Sequence, residues 1–235
     1  MKYDQHSSHL PPLAPTQNYK HYSLPPFLSP PHLHTDHFRP NPVSHQRDDM
    51  KEVKKFGIGL PKTGTKTLSC CFILFGYKHY SYNMELAAQV KKGDLKHTLE
   101  IADSFESFED WPWFLIYQKL YERYPESKFI LTTRKDTNTY IQSLKKHHDK
   151  QGIYDPSFQK PSWWDDVFGF SPQKWDYELS KAQYEKHIRE VTDFFSDKPE
   201  KLLTVCWENG DGWKKLCDFL IEEVPSFKFP HSNKS

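Results

Sequence analysis

The stretch "GIGLPKTGTKTL", residues 57–68, has residue types and a spacing that suit the binding of an anion. It lies between a strand-like and a helix-like apolar segment, so its backbone N–H groups and the N-terminus of the following helix would point at a bound phosphate. Lys62 lies inside the loop and its side chain can fold over the anion. The hydroxyl groups of Thr63, Thr65 and Thr67 would add further hydrogen-bond donors.

This loop differs from the phosphate loop of a nucleoside triphosphatase, which reads GxxxxGK[ST]. Gly59 and Gly64 have the required spacing, but Thr65 stands where the lysine is required. Lys66 comes one position later, and one position turns a helical side chain by about 100°. Lys66 therefore does not replace the missing lysine.

A second cation follows another strand-like segment, "KFILTTR", which ends in Arg134. A triphosphate enzyme needs an acidic residue in such a place to hold magnesium. The loop and Arg134 thus both offer positive charge to an anion, and this binding requires no metal. This combination fits a nucleotide that carries phosphate groups at both ends of its ribose.

The order of apolar patterns predicts an α/β fold that would position these residues. Strands are expected at residues 54–60, 77–83, 128–134 and 201–207. Helices are expected at residues 65–77, 113–124, 136–148, 177–195 and 212–223, with one or two more between 84 and 104. Asp136 is a plausible N-terminal cap for its helix. Strands that alternate with helices favour a parallel sheet covered on both faces.

Composition divides the chain near residue 50. Residues 1–50 hold nine of the 18 prolines and seven of the 13 histidines, and no glycine. Proline fixes φ and lacks an N–H donor, so such a segment forms neither helix nor central strand. We expect a disordered Pro/His-rich tail at residues 1–50 and one domain at residues 51–235. The histidines lack regular spacing, which favours a solvated tail over a metal site.

Charge and cysteine content limit the class of protein. The net charge of +1 gives no reason to expect nucleic acid or a membrane surface as a partner. Neither a membrane-spanning run nor a secretory signal is found, which predicts a cytoplasmic protein. The cysteines lack metal-ligand spacing and are expected to be free thiols; they are Cys70, Cys71, Cys206 and Cys217.

Four ordered segments resemble the sulfotransferases that use 3′-phosphoadenosine-5′-phosphosulfate (PAPS). "GLPKTGTKTL" resembles their 5′-phosphosulfate loop, and "KFILTTRKDTNTYIQSL" their second signature, a strand ending in arginine followed by a helical serine. "FEDWPWFLIYQKLYERYPESKFIL" and "LLTVCWENGDGWKKLCDFL" are similar to the middle and C-terminal segments of one subgroup. The resemblance spans about residues 54–225 and implies a P-loop-type, three-layer α/β/α fold with a central parallel sheet.

The resemblance also implies roles for individual residues. The 5′-phosphosulfate would be held by Lys62, Thr63, Gly64, Thr65, Lys66 and Thr67. Lys62 would also stabilise the charge that develops on the bridging oxygen as the S–O bond breaks. Arg134 and Ser143 would bind the 3′-phosphate, although they are one position further apart than the family usually shows. The alternatives are a salt bridge for Arg134 and an uninvolved mid-helix position for Ser143.

Asp110 in "FEDWPW" corresponds to the aspartate that lies beside the donor sulfate and the acceptor in that subgroup. It would remove the proton of the attacking acceptor, and burial near aromatic residues would raise its pKa. The alternative is a helix cap. Glu109 should face the other way in an extended segment. His79 is the second candidate for the base, unless its role is structural.

Two aromatic features remain open from the sequence. Trp213 follows a glycine turn and would lie near the adenine of the nucleotide or act as a core anchor. The segment 161–170, "PSWWDDVFGF", would cover the acceptor pocket or be a hydrophobic cover only.

The favoured function is sulfuryl transfer from PAPS, without a metal, to a hydroxyl or amine of a small-molecule or glycan-like acceptor that the sequence does not identify. The first alternative is a nucleotide or small-molecule kinase with a deviant loop. The second is a catalytically inactive nucleotide-binding scaffold of the same fold, because the segment between residues 83 and 110 is short. Oligomeric state is not readable from the sequence.

Overall fold

The computed structural model of the chain describes residues 53–230, and the predicted tail at residues 1–50 lies outside them. The described part contains a parallel sheet of five strands in the order β2-β3-β1-β4-β5. The strands are β1 Lys55–Gly57, β2 His79–Tyr80, β3 Ser107–Glu109, β4 Lys128–Thr132 and β5 Leu202–Val205. The predicted α/β class with a central parallel sheet is therefore confirmed.

Eight α-helices connect or follow the strands within the described residues. In chain order they are α1 Thr65–Leu74, α2 Met84–Lys91, α3 Lys96–Ser104, α4 Tyr117–Arg123, α5 Thr137–Gln151, α6 Trp164–Phe168, α7 Tyr177–Phe194 and α8 Trp213–Leu220. Short 3-10 turns lie at Trp113–Leu115, Pro172–Lys174, Pro199–Lys201 and Trp207–Asn209. Among the helices of residues 53–230, none combines the length and the apolar character that a bilayer crossing would need.

Helices pack on both faces of the sheet because side chains alternate along each strand. On one face, Phe56, Phe108 and Phe129 pack with side chains of α4 and α7. On the other face, Ile130 and Val205 pack with side chains of α1 and α8. Two apolar clusters on opposite faces thus hold the strands in register, and the sheet edges carry the connecting loops.

Two sequence-based expectations differ from the structure in the first half of the chain. The strand expected at residues 77–83 is reduced to His79–Tyr80. Its last part instead leads into α2, where the Asn83 side chain accepts a hydrogen bond from the Leu86 N–H at 3.0 Å. Strand β3 was not among the expected strands, because three residues with polar ends carry little periodic signal.

The helical expectations hold with shifted ends. Residues 84–104 form two helices, which are separated near Gly93, a residue with a φ of 87°. Asp136 caps α5, as predicted, by accepting a hydrogen bond from the Thr139 N–H at 2.7 Å. The cap fixes the start of α5 and therefore the direction in which its later side chains face.

Phe56 on the central strand offers a test of the sheet core. It is fully buried and packs against the rings of Phe108 and Phe129, at centroid distances of 4.8 and 5.4 Å. Phe56→Ala should lower the free energy of unfolding by about 3–5 kcal/mol because it leaves a cavity between rigid neighbours. Urea denaturation followed by tryptophan fluorescence measures this.

The control is Ile73→Ala on α1, because the Ile73 side chain is 43% exposed. It should change the free energy of unfolding by less than about 1 kcal/mol. Equal losses in the two variants would contradict this description of the core.

Candidate active site

The candidate site lies at the carboxyl edge of the sheet, where parallel strands bring their following loops together. The anion loop follows β1, Asp110 follows β3, Arg134 comes two residues after β4, and Trp207 and Glu208 come shortly after β5. Four neighbouring strands thus carry the anion loop, Asp110, Arg134, Trp207 and Glu208 to one edge of the sheet.

The anion loop is held in shape by its own side chains and by β4. Thr63 donates a hydrogen bond to the Leu60 carbonyl at 2.6 Å, and its hydroxyl lies 2.6 Å from that of Thr132. Gly59 packs so closely that a Cβ atom there would lie 2.0 Å from the Thr132 hydroxyl. Thr63 and Gly59 therefore shape the loop, and Thr67 is buried in the first turn of α1.

Gly64 joins the loop to α1 in a conformation that favours glycine, with a φ of 100°. Its carbonyl accepts hydrogen bonds from the Thr67 and Leu68 N–H groups and from the indole Nε1 of Trp207 at 3.1 Å. A Cβ atom at Gly64 would lie 2.4 Å from the Trp207 ring. Trp207 therefore covers the start of the helix and leaves no space for a larger residue.

Asp110 contacts the start of the same helix from β3. Thr65 donates its hydroxyl hydrogen to Asp110 Oδ2 at 2.8 Å, and the Trp111 N–H donates to Oδ1 at 2.9 Å. Asp110 itself has a φ of 68° and keeps some exposed surface. Its side chain caps neither of the two helical segments that follow it, so these contacts do not fit the alternative role of a helix cap.

The environment of Asp110 favours its protonated form near neutral pH. Burial raises the pKa of Asp110 to about 7, and the negative charge of Glu109 adds to this rise. Hydrogen bonds from Thr65 and Trp111, together with the charge of Lys66, oppose the rise. A carboxyl group with such a pKa can exchange a proton at physiological pH.

Glu109 and His79 lie beneath α1. The side chain of Glu109 is buried, accepts a hydrogen bond from Ser81, and lies 3.8 Å from His79 Nε2. The two His79 ring nitrogens each lie 2.9 Å from a serine hydroxyl, that of Ser69 or Ser107. His79, the second candidate for the base, is thus held by structural contacts, and Glu109 faces away from Asp110's partners.

Lys62 and Lys66 make the cleft beside the loop cationic. Burial lowers the pKa of Lys62, and the positive charges of Lys66 and Arg134 lower it further. Lys62 has a positive φ of 76°, so the loop backbone turns sharply at this residue. Lys66 and Arg134 thus lie near enough to Lys62 to affect its charge, and a bound anion would reduce this repulsion.

Arg134 forms the salt bridge that the sequence left as an alternative. Its Nη1 donates to Glu208 Oε1 at 2.9 Å, and its backbone N–H donates to the Tyr184 hydroxyl at 2.9 Å. The Nε atom of Arg134 is buried and has no hydrogen-bond partner among the described residues. Arg134 is therefore at the cleft but engaged by a carboxylate.

Ser143 lies on α5, on the same helical face as Tyr140 and His147. Tyr140, one turn earlier, has a raised pKa because of burial, with the charges of Tyr184 and Asp110 contributing. Burial lowers the pKa of His147, one turn later, to about 4, and the charges of Lys62 and Lys66 contribute. The helix begins at Thr137, so Ser143 lies in its second turn.

Trp213 has the contacts of a core anchor, the second of the two roles left open by the sequence. It is buried, and its indole donates to the Phe227 carbonyl at 3.0 Å. Trp207, not Trp213, is the tryptophan that contacts the anion loop. Sequence reasoning missed Trp207 and Glu208, although their place directly after β5 puts them at the edge where ligands bind.

The segment 161–170 packs on α2 and near Trp111. It contains α6, which packs on α2 and closes against it through a salt bridge of 2.8 Å between Asp166 and Lys92. The Phe168 ring lies 5.9 Å from the ring of Trp111, the neighbour of Asp110. An aromatic wall therefore stands beside the candidate base.

The carboxyl edge of this parallel α/β sheet thus carries a loop suited to an anion, a carboxyl group with a raised pKa and a group of cations. Residues 54–235 match the family model of the sulfotransferase domain, and the chain belongs to this family. Membership places the protein among transferases that move a sulfuryl group, with a small molecule as the type of acceptor. "Ava biosynthesis cluster protein M" of Aspergillus versicolor is 24% identical over 213 residues, which cover 76% of this chain and 80% of the relative.

The contact between Gly64 and Trp207 gives a test of the loop. Gly64→Ala should lower the free energy of unfolding by about 3 kcal/mol, because it adds a collision with a buried ring to the cost of a positive φ. The matched control is Gly93→Ala, since Gly93 also has a positive φ but no atom within 4 Å of the added carbon. The control should cost about 1–2 kcal/mol. Chemical denaturation measures both, and equal losses would mean that Trp207 does not restrict the loop.

Proposed function

We propose that the protein transfers a sulfuryl group from PAPS to a hydroxyl or amine group of a small-molecule acceptor by in-line displacement. The hydrogen bond of 2.8 Å between Thr65 and Asp110 is the observation that carries the proposal. It holds a carboxyl group with a pKa of about 7 against the N-terminus of the helix that follows the anion loop. A base and an anion site thus meet at one point of the sheet edge.

The loop and the helix N-terminus bind the 5′-phosphosulfate in this proposal. Backbone N–H groups at the start of α1 and the charges of Lys62 and Lys66 attract the anion. The side chain of Thr65 contacts Asp110, which makes it the link between donor and acceptor. Arg134, with Ser143 on α5, receives the 3′-phosphate.

Asp110 accepts the proton of the acceptor as its oxygen or nitrogen forms a bond to sulfur. At the same time the bond between sulfur and the bridging oxygen breaks, and its electron pair stays with the 5′-phosphate. Lys62 stabilises the charge on that oxygen. The products are a sulfated acceptor and adenosine 3′,5′-bisphosphate.

In the same proposal, one domain, residues 51–235, carries the whole site. The aromatic wall formed by Trp111 and Phe168 supports an acceptor with an apolar body and one nucleophilic group.

Nucleotide binding separates this proposal from a kinase. Adenosine 3′,5′-bisphosphate at about 100 times its Kd should raise the Tm by about 5 °C, whereas Mg-ATP should raise it less. Differential scanning fluorimetry measures both shifts on the same preparation. A larger shift with Mg-ATP would reject the sulfotransferase proposal.

The pH dependence of transfer tests the role of Asp110. Because only the ionised carboxylate accepts a proton, kcat/KM should fall about tenfold per pH unit below the Asp110 pKa of about 7. Asp110→Asn should lower kcat/KM by about 10²–10⁴-fold and remove the break near pH 7. Transfer of labelled sulfate to a panel of phenols, alcohols and amines provides the measurement.

Asp103→Asn is the control for this variant, because Asp103 forms a surface ion pair of 2.7 Å with Arg123. It should leave kcat/KM and its pH profile unchanged. Full activity of Asp110→Asn would remove Asp110 from catalysis. Tight binding of the bisphosphate without transfer to any acceptor would instead favour an inactive scaffold.

A further inference from the structure

We propose that Glu208 occupies the 3′-phosphate position in the empty cleft, so that the donor's 3′-phosphate must displace it from Arg134. The inference rests on the proposed function, because it concerns the same nucleotide site. It makes Glu208 a residue that sets the selectivity for the 3′-phosphate, although it would not touch the reacting atoms.

The Glu208 carboxylate uses two donors that form a phosphate-binding pair. Its Oε1 accepts from Arg134 Nη1 at 2.9 Å, and its Oε2 accepts from the backbone N–H of Lys135 at 3.1 Å. A guanidinium group and a main-chain N–H just before a helix are typical donors for phosphate oxygens. The carboxylate therefore takes the contacts that a phosphate oxygen would make.

The position of Glu208 ties this contact to the nucleotide cleft. It follows Trp207, whose indole donates to the Gly64 carbonyl at the end of the anion loop. Both residues belong to a short 3-10 turn, Trp207–Asn209, that ends at Gly210 with a φ of 87°. The turn therefore links the anion loop, through Trp207, with Arg134, through Glu208.

The salt bridge is accessible to a competing anion. The side chains of Arg134 and Glu208 are 17% and 28% exposed, so both partners border solvent. The closed pair also leaves the buried Arg134 Nε without a partner among the described residues. A phosphate group offers more acceptor oxygens than a carboxylate and can satisfy more of the guanidinium donors.

The charges in the cleft explain why the Glu208 carboxylate stabilises the protein when no nucleotide is bound. Burial and, after it, the charges of Lys66 and Arg134 disfavour the charged form of Lys62. In the absence of an anion, Glu208 neutralises one of the three cations. When the nucleotide binds, the same carboxylate would oppose the 3′-phosphate if it stayed in place.

Calorimetric titration of Glu208→Gln with two nucleotides tests the inference. Adenosine 3′,5′-bisphosphate carries the 3′-phosphate, and adenosine 5′-monophosphate lacks it. The variant should bind the bisphosphate about five- to tenfold more tightly than the unchanged protein does, because the competing charge is gone. Its affinity for the monophosphate should change by less than about twofold.

Glu126→Gln is the matched control, because it removes the same charge from a salt bridge of 2.9 Å with Lys201 at the opposite edge of the sheet. It should change neither affinity. Glu208→Ala, a second variant, removes both contacts to Arg134 and Lys135 and should also bind the bisphosphate more tightly.

The possible results separate the inference from the proposed function. Weaker or unchanged bisphosphate binding in both Glu208 variants would overturn the inference and would mean that Glu208 orients Arg134 or is neutral. Tighter binding of both nucleotides by the same factor would also overturn it, because the effect would not depend on the 3′-phosphate. Failure of the unchanged protein to bind the bisphosphate would reject the proposed function itself.

Discussion

The hydrogen bond from Thr65 to Asp110 joins the two halves of the candidate site. Thr65 is the first residue of α1, and Asp110 follows β3, so the bond fixes the distance between the anion loop and the candidate base. Its strength depends on partial burial, which also raises the pKa of Asp110 to about 7. The site thus keeps a carboxyl group in an environment that disfavours its charge, which is the condition for proton exchange near neutral pH.

Cation repulsion is the second constraint on the structure. Burial lowers the pKa of Lys62, and the nearby charges of Lys66 and Arg134 lower it further, so three cations lie close together around the anion loop and the end of β4. Glu208 and the Tyr184 hydroxyl hold Arg134 in this cleft. The cations that favour anion binding therefore repel one another when no anion is bound, and the Glu208 carboxylate offsets the charge of one of them, Arg134.

The sequence alone predicted the fold class and family, because alternating patterns and four ordered motifs are local features. It did not predict β3, whose three residues are too few to show a period. It also did not pair Arg134 with Glu208, since 74 positions separate them and only the strand order makes them neighbours. Residue type does not distinguish Trp207 from Trp213, and only the packing shows that Trp207 is the one that contacts Gly64.

The strand order β2-β3-β1-β4-β5 has a consequence for how this protein could change its substrate. Nucleotide contacts are proposed on the β1-β4-β5 side, whereas α2, α6 and Trp111 line the β2-β3 side. The two sides share the central strand and the pair Thr65 and Asp110. Under the proposed function, variation confined to the second side would alter the choice of acceptor and leave the contacts to the donor unchanged.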